Sequence, residues 1–212
     1  TLSYWADALA TIPLGAPAAI GTSGTYYIQL VDANGCSVIQ AVNVTINPLP
    51  NLVITDPAAV CSPNTVDLTA GAVTAGSDAG TLSYWTDATA TTPLVTPSAV
   101  GAGTYYIQLV DANGCSVIEP VTVTVNPLPN LFIIDPAAVC LPNTVDITAG
   151  AVTAGSDAGT LSYWTDATAM TPLGSPNAVA TTGTYYIQLT DGNGCSVVMP
   201  VVVTINALPN LV

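Results

Sequence analysis

Gly103-Thr104-Tyr105-Tyr106-Ile107-Gln108-Leu109-Val110-Asp111-Ala112-Asn113-Gly114-Cys115 is written three times in this chain, with closely matching copies at residues 24–36 and 183–195. Each copy opens on alternating aromatic and branched residues and closes on Asp-x-Asn-Gly, the pattern of a strand entering a tight turn. Period-two alternation puts Tyr105, Ile107 and Leu109 on one face and Tyr106, Gln108 and Val110 on the other.

Outward from that stretch, the whole sequence repeats. Trp5, Trp85 and Trp164 recur about every 80 residues, and so do Cys61 and Cys140. Residues 51–129 and 130–209 read as two complete modules, 1–50 as the C-terminal part of a truncated one, and 210–212 as the start of the next. The sequence enters and leaves in mid-repeat, so a longer continuous chain is expected. The boundary signal is Asn47-Pro48-Leu49-Pro50-Asn51, repeated at 126–130 and, with one proline lost, at 206–210. Proline fixes φ and biases its predecessor to extended geometry, which predicts short semi-rigid junctions and a rod of modules.

Within a module, Leu52–Thr55 reads as a short first strand stopped at Asp56-Pro57, and Thr65–Thr69 as a strand with Val66 and Leu68 inward. Ala70–Gly80 reads as a loop or weak hairpin. Thr81–Thr86 is the next strand, with Leu82 and Tyr84 assigned inward, and Val121–Val125 alternates with its valines inward. No segment shows helical spacing, so the fold class is all-β, six or seven short strands per module in an antiparallel sandwich. Gly103-Thr104-Tyr105 has the spacing of a tyrosine corner, with Ile107 where an immunoglobulin fold usually carries its second cysteine.

Composition narrows the function. There is no Lys, Arg or His against thirteen Asp and Glu, and only 6% of residues are charged where about 25% is usual. Nucleic acid and anionic lipid both need basic side chains, so neither is an expected partner. No apolar run reaches the roughly 20 residues of a membrane span. Without His or Lys there is no ordinary general base near neutrality, and a carboxylate pair copied into every link of a rod is an implausible active site, so no enzymatic activity is expected. Lysine is also absent from the strand edges it usually guards, which predicts edges open to lateral self-association.

Five cysteines in so regular a chain point to an oxidising compartment. Two pairings keep the period: Cys61 with Cys115 and Cys140 with Cys195 inside modules, or Cys36 with Cys61 and Cys115 with Cys140 across junctions. The strand after Cys115 runs away from its turn, roughly 33 Å in ten residues, which favours the first. Asp56, Asp111 and Asn113 are weak calcium candidates, against the plainer reading of Asp-x-Asn-Gly as an Asx-stabilised turn. Trp85 and Trp164, with Tyr106 and Tyr186, read either as half-buried residues under the following loop or as stacking platforms for a surface glycan.

The ordered set CSPNTVDLTAG, LSYWTDATATTPL and GTYYIQLVDANGC resembles the immunoglobulin-like repeats of very large secreted surface proteins of Bacteroidota, including gliding and adhesion filaments. The resemblance covers both complete modules and the partial one. It implies an extracellular stalk or adhesin segment without an enzymatic site. The partners expected are neighbouring repeats of the same chain, upstream residues completing the partial first module; the alternative is a strand-exchange polymer in which a neighbouring chain donates those strands.

Overall fold

A computed structural model describes residues 1–210; apart from Asn210, the restart expected over 210–212 lies outside the described residues. Thirteen strands and no helix are present among them. The signature stretch forms the central strand of three equivalent antiparallel sheets: β1 (Leu2–Trp5), β2 (Gly24–Val31) and β3 (Ser37–Val44); β5 (Thr81–Trp85), β6 (Gly103–Val110) and β7 (Ser116–Val123); β10 (Thr160–Trp164), β11 (Gly183–Thr190) and β12 (Ser196–Val203). Short parallel pairs complete two of the units. β4 (Val60–Cys61) lies beside β8 (Val125–Asn126), and β9 (Val139–Cys140) beside β13 (Ile205–Asn206).

The period-two reading of side chains holds. Ile107, Leu109, Val121 and Val123 are buried, and Ile107, Val121 and Val123 build the core of the second unit with Val66, Leu68, Val73 and Val100. Leu82, Tyr84 and Tyr105 pack against that core from its margin. Burial and then the charge of Asp67 push the Tyr84 phenol above its ordinary range, as expected of a ring turned inward. The third unit repeats this core with Val145, Ile147, Val152, Ile187, Leu189, Val201 and Val203.

The layer facing the three-stranded sheet is less regular than the sequence predicts. Leu52–Thr55 and Thr65–Thr69 form no ladders. Asn51 exchanges bonds with Asp78, Val53 with the Ser77 hydroxyl, and the Thr55 amide donates to Val73 O, so the first segment lies against the Ala70–Gly80 stretch through side chains as much as backbone. Val66 meets Val100 in a single bridge. Short apolar residues fill this layer, and Asp, Ser and Pro interrupt its ladders; burial survives where pairing does not.

Gly80 marks a close approach. A Cβ there would stand 2.4 Å from Val110 O and 2.7 Å from Leu109 Cδ1, and Gly159 meets Thr190 and Leu189 in the same way.

The edge of β7, expected to be open for want of lysine, is covered over its C-terminal half. The amides that point away from β6 belong to even-numbered residues, because Asp111 and Cys115 begin the bonded register. Pro120 has no amide to offer, the Thr122 amide donates to Asp56 Oδ1 at 2.8 Å, and Thr124 O accepts from Val60. In the third unit Pro200, Val202 with Asp135, and Thr204 with Val139 repeat the arrangement. Proline and a capping carboxylate thus do here what lysine does elsewhere.

Candidate functional site

The feature that joins units is the disulfide Cys61–Cys195, with Cα atoms 5.5 Å apart. This corrects both pairings expected from sequence. Cys61 sits in β4 opposite Asn126, at the end of its unit that the chain leaves through the junction. Cys115 sits at the other end, beyond the eight residues of β7, roughly 26 Å away at about 3.3 Å per residue. The same strand length that argues against Cys115–Cys140 therefore also separates Cys61 from Cys115. Cys195, in the turn of the following unit, lies where Cys61 can reach it, and it is fully buried. Cys36, Cys115 and Cys140 are free thiols, Cys36 and Cys140 exposed and Cys115 half-buried.

Each turn cysteine is positioned by its own Asp-x-Asn-Gly. Asp111 Oδ1 accepts from the Asn113 and Cys115 amides at 2.9 and 2.8 Å, the Asp111 amide donates to Cys115 O, and Gly114 supplies φ 83°. Burial works to raise the Asp111 carboxyl, but hydrogen bonds from Cys115, Asn113 and Gly114 outweigh it and leave the group below its ordinary range. Asp111 thus accepts within its own turn, and Asp56 Oδ1 accepts from the Thr122 amide. Among the described residues no group of three or more acidic or cysteine side chains is arranged to hold a metal ion.

The junction prolines contribute as well. Pro50 and Pro129 are buried. Cys115 Sγ lies 3.9 Å from Asn47 O, so the turn of the second unit rests on the linker that precedes it.

On the outer face of each main sheet the register sets one aromatic row: Trp85, Tyr106 and Pro120 are directly opposite in sequence across three strands, as are Trp164, Tyr186 and Pro200. Trp85 and Trp164 are half-buried, each bridged through its backbone to the following loop at Pro93 or Pro172. The Trp85 indole donates to Ser83 Oγ at 3.1 Å; the Trp164 indole nitrogen is buried without a partner. Tyr106 and Tyr186 are half-buried in the same rows.

Sequence reasoning missed the staple inside the Trp loop. Asp87 accepts from the Thr89 hydroxyl and from the Thr89, Thr91 and Thr92 amides, closing the loop that covers Trp85. Asp166 does the same with Thr168, Met170 and Thr171. The Asp-x-Thr spacing, shared with Asp67-Leu68-Thr69, was the available signal.

The tyrosine corner is present. Tyr26, Tyr105 and Tyr185 each donate a phenol hydrogen to the carbonyl four residues back, at 2.9, 3.3 and 3.1 Å.

Residues 50–127 match the family described as an Ig-like domain, CHU_C associated. No curated protein matches the chain. Solved structures with a similar course include extracellular domains 3–5 of Drosophila OTK, at 12% identity over 87% of this chain and 71% of that one, TM-score 0.36. The insect immune protein hemolin is 12% identical over 86% of this chain and 56% of its own, TM-score 0.33. Immunoglobulin domains 1–4 of Sidekick-1 are 10% identical over 97% and 67%, TM-score 0.35. The ladders, the core and the tyrosine corner, together with the match over 50–127, make the chain an all-β array of immunoglobulin-like units.

Proposed function

We propose that this chain is a structural and adhesive stalk segment of a large extracellular cell-surface protein, working as a stiffened rod and not as an enzyme. The observation that supports it most directly is Cys61–Cys195, a covalent bond between consecutive units in place of a staple within one. A bond there resists bending at the junction, which is what a load-bearing or presenting stalk needs, and it requires an oxidising compartment. Buried Pro50 and Pro129 support the same reading. Small-angle scattering of the oxidised and reduced chain tests it: the oxidised form should fit one extended particle and the reduced form a broader, shorter ensemble. Equal flexibility in both states would sink the stalk reading.

The row Trp85, Tyr106 and Pro120 favours a second reading, a glycan-binding face repeated along the rod. Its arm of the test is a glycan array probed with the native chain and with Trp85→Ala. A glycan signal lost in a variant that keeps its melting temperature would select the binding module.

A further inference from the structure

The bonded pair Cys61–Cys195 joins two kinds of cysteine. The leading kind sits in the short strand parallel to the unit's last strand, and the turn kind follows Asp-x-Asn-Gly in the next unit. Cys140 is a second leading cysteine in the same backbone setting as Cys61. Cys61 is opposite Asn126 and Cys140 opposite Asn206; the amide after each donates to that asparagine carbonyl, at 2.8 and 3.0 Å; and Val60 and Val139 both donate at 3.1 Å to the carbonyl of a threonine, Thr124 and Thr204.

Cys36 and Cys115 are turn cysteines in the setting of Cys195. In all three the cysteine amide donates to the aspartate Oδ1 at 2.8 Å and the aspartate amide donates to the cysteine carbonyl at 2.9 Å. Cys115 Sγ also reaches Asn47 O, and Asn47 holds the repeat position of Asn126, the residue beside Cys61. Both half-sites thus exist in the form that is already bonded one unit along.

We propose that Cys140 and the turn cysteines Cys36 and Cys115 are directional coupling sites for further copies of this repeat, each leading cysteine bonding the turn cysteine of the unit that follows it. The array then carries one bond per junction, always leading to turn. The partner is another copy of the repeat, recognised by its complementary cysteine. With oxidised glutathione as oxidant, one thiolate attacks it to form a mixed disulfide and releases one glutathione thiol. The second protein thiolate displaces the other, so two protein thiols lose two electrons and two protons while one glutathione disulfide becomes two thiols. The exposure of Cys36 and Cys140, against the buried bonded Cys195, leaves these thiols open to that exchange.

The test uses the chain with Cys61–Cys195 intact, incubated in a glutathione redox buffer and digested with chymotrypsin, since it offers trypsin no Lys or Arg. Expected are covalent multimers whose cross-linked peptides join Cys140 to Cys36 or Cys115, and near-complete loss of multimers in Cys140→Ser. Cys36→Ser with Cys115→Ser should remove them equally. Cross-links of like with like, Cys140–Cys140 or Cys36–Cys36, in comparable yield would overturn the proposal. So would a product consisting only of glutathionylated monomer.

Discussion

Ala90 sits at φ 52°, a left-handed conformation that costs an alanine about 1 kcal/mol, and Ala10 and Ala169 repeat it at φ 53° and 54°. The turn is held by Asp87, whose carboxyl is kept well below its ordinary range by the Thr89 hydroxyl first and the Thr91 and Thr92 amides after it, against an opposing pull from burial. Two outcomes follow at this scale. Ala90→Gly should raise unit stability by about 0.5–1 kcal/mol, the relief of strain exceeding the added freedom of the unfolded chain; a lowered denaturant midpoint would contradict the assignment. The Asp87 carboxyl, lowered from 3.8 on folding, stabilises the loop fully above that pH and loses its contribution as acid protonates it. An NMR titration should therefore find the Thr92 amide shifted only below about pH 4, and Asp87→Asn should abolish that step. In the first unit Leu9 replaces Thr89, and Asp7 relies chiefly on the Thr11 hydroxyl and the Ile12 amide.

At the scale of the element, β7 is the exposed margin of its sheet and yet offers few free donors. Asp56 caps Thr122 from 66 residues away in sequence. Asp56→Ala should speed hydrogen exchange at the Thr122 amide at least tenfold and cost about 1 kcal/mol. The Val121 amide, which faces β6, should be unchanged; equal acceleration at both would mean that the strand as a whole had loosened. Alternation alone located the faces of β6 and β7, because a buried face imposes period two on Tyr105, Ile107, Leu109, Val121 and Val123. It could not locate Asp56 on Thr122, since a carboxylate capping a distant edge leaves no local pattern. Leu52–Thr55 looked like a strand because half-buried Leu52 and Ile54 alternate with exposed Val53 and Thr55, but its partners are Ser77 and Val73, in a segment without strand periodicity.

For the whole molecule, the repeat made the architecture readable and also concealed the junction. Any pairing that respects the period is consistent with five cysteines, and the choice depends on which end of a unit Cys61 occupies. That end is set by the parallel pairing of β4 with β8, two residues long and invisible in composition. The resulting bond closes a separation of 134 residues, and restricting an unfolded loop of that size is worth about 5 kcal/mol on the chain-entropy model. That figure is comparable to the margin of a single small domain, so the bond should couple the melting of the second and third units. Calorimetry of the oxidised chain should then show these units in one transition, with calorimetric enthalpy matching the van't Hoff value. Reduction, or Cys61→Ser, should split it into two transitions at lower temperature, because each unit keeps its own valine core and tyrosine corner but no longer limits the other's unfolded state. If reduction left a single transition at an unchanged temperature, the units would be coupled through the buried junction proline and its neighbours alone, and the disulfide would carry no mechanical role.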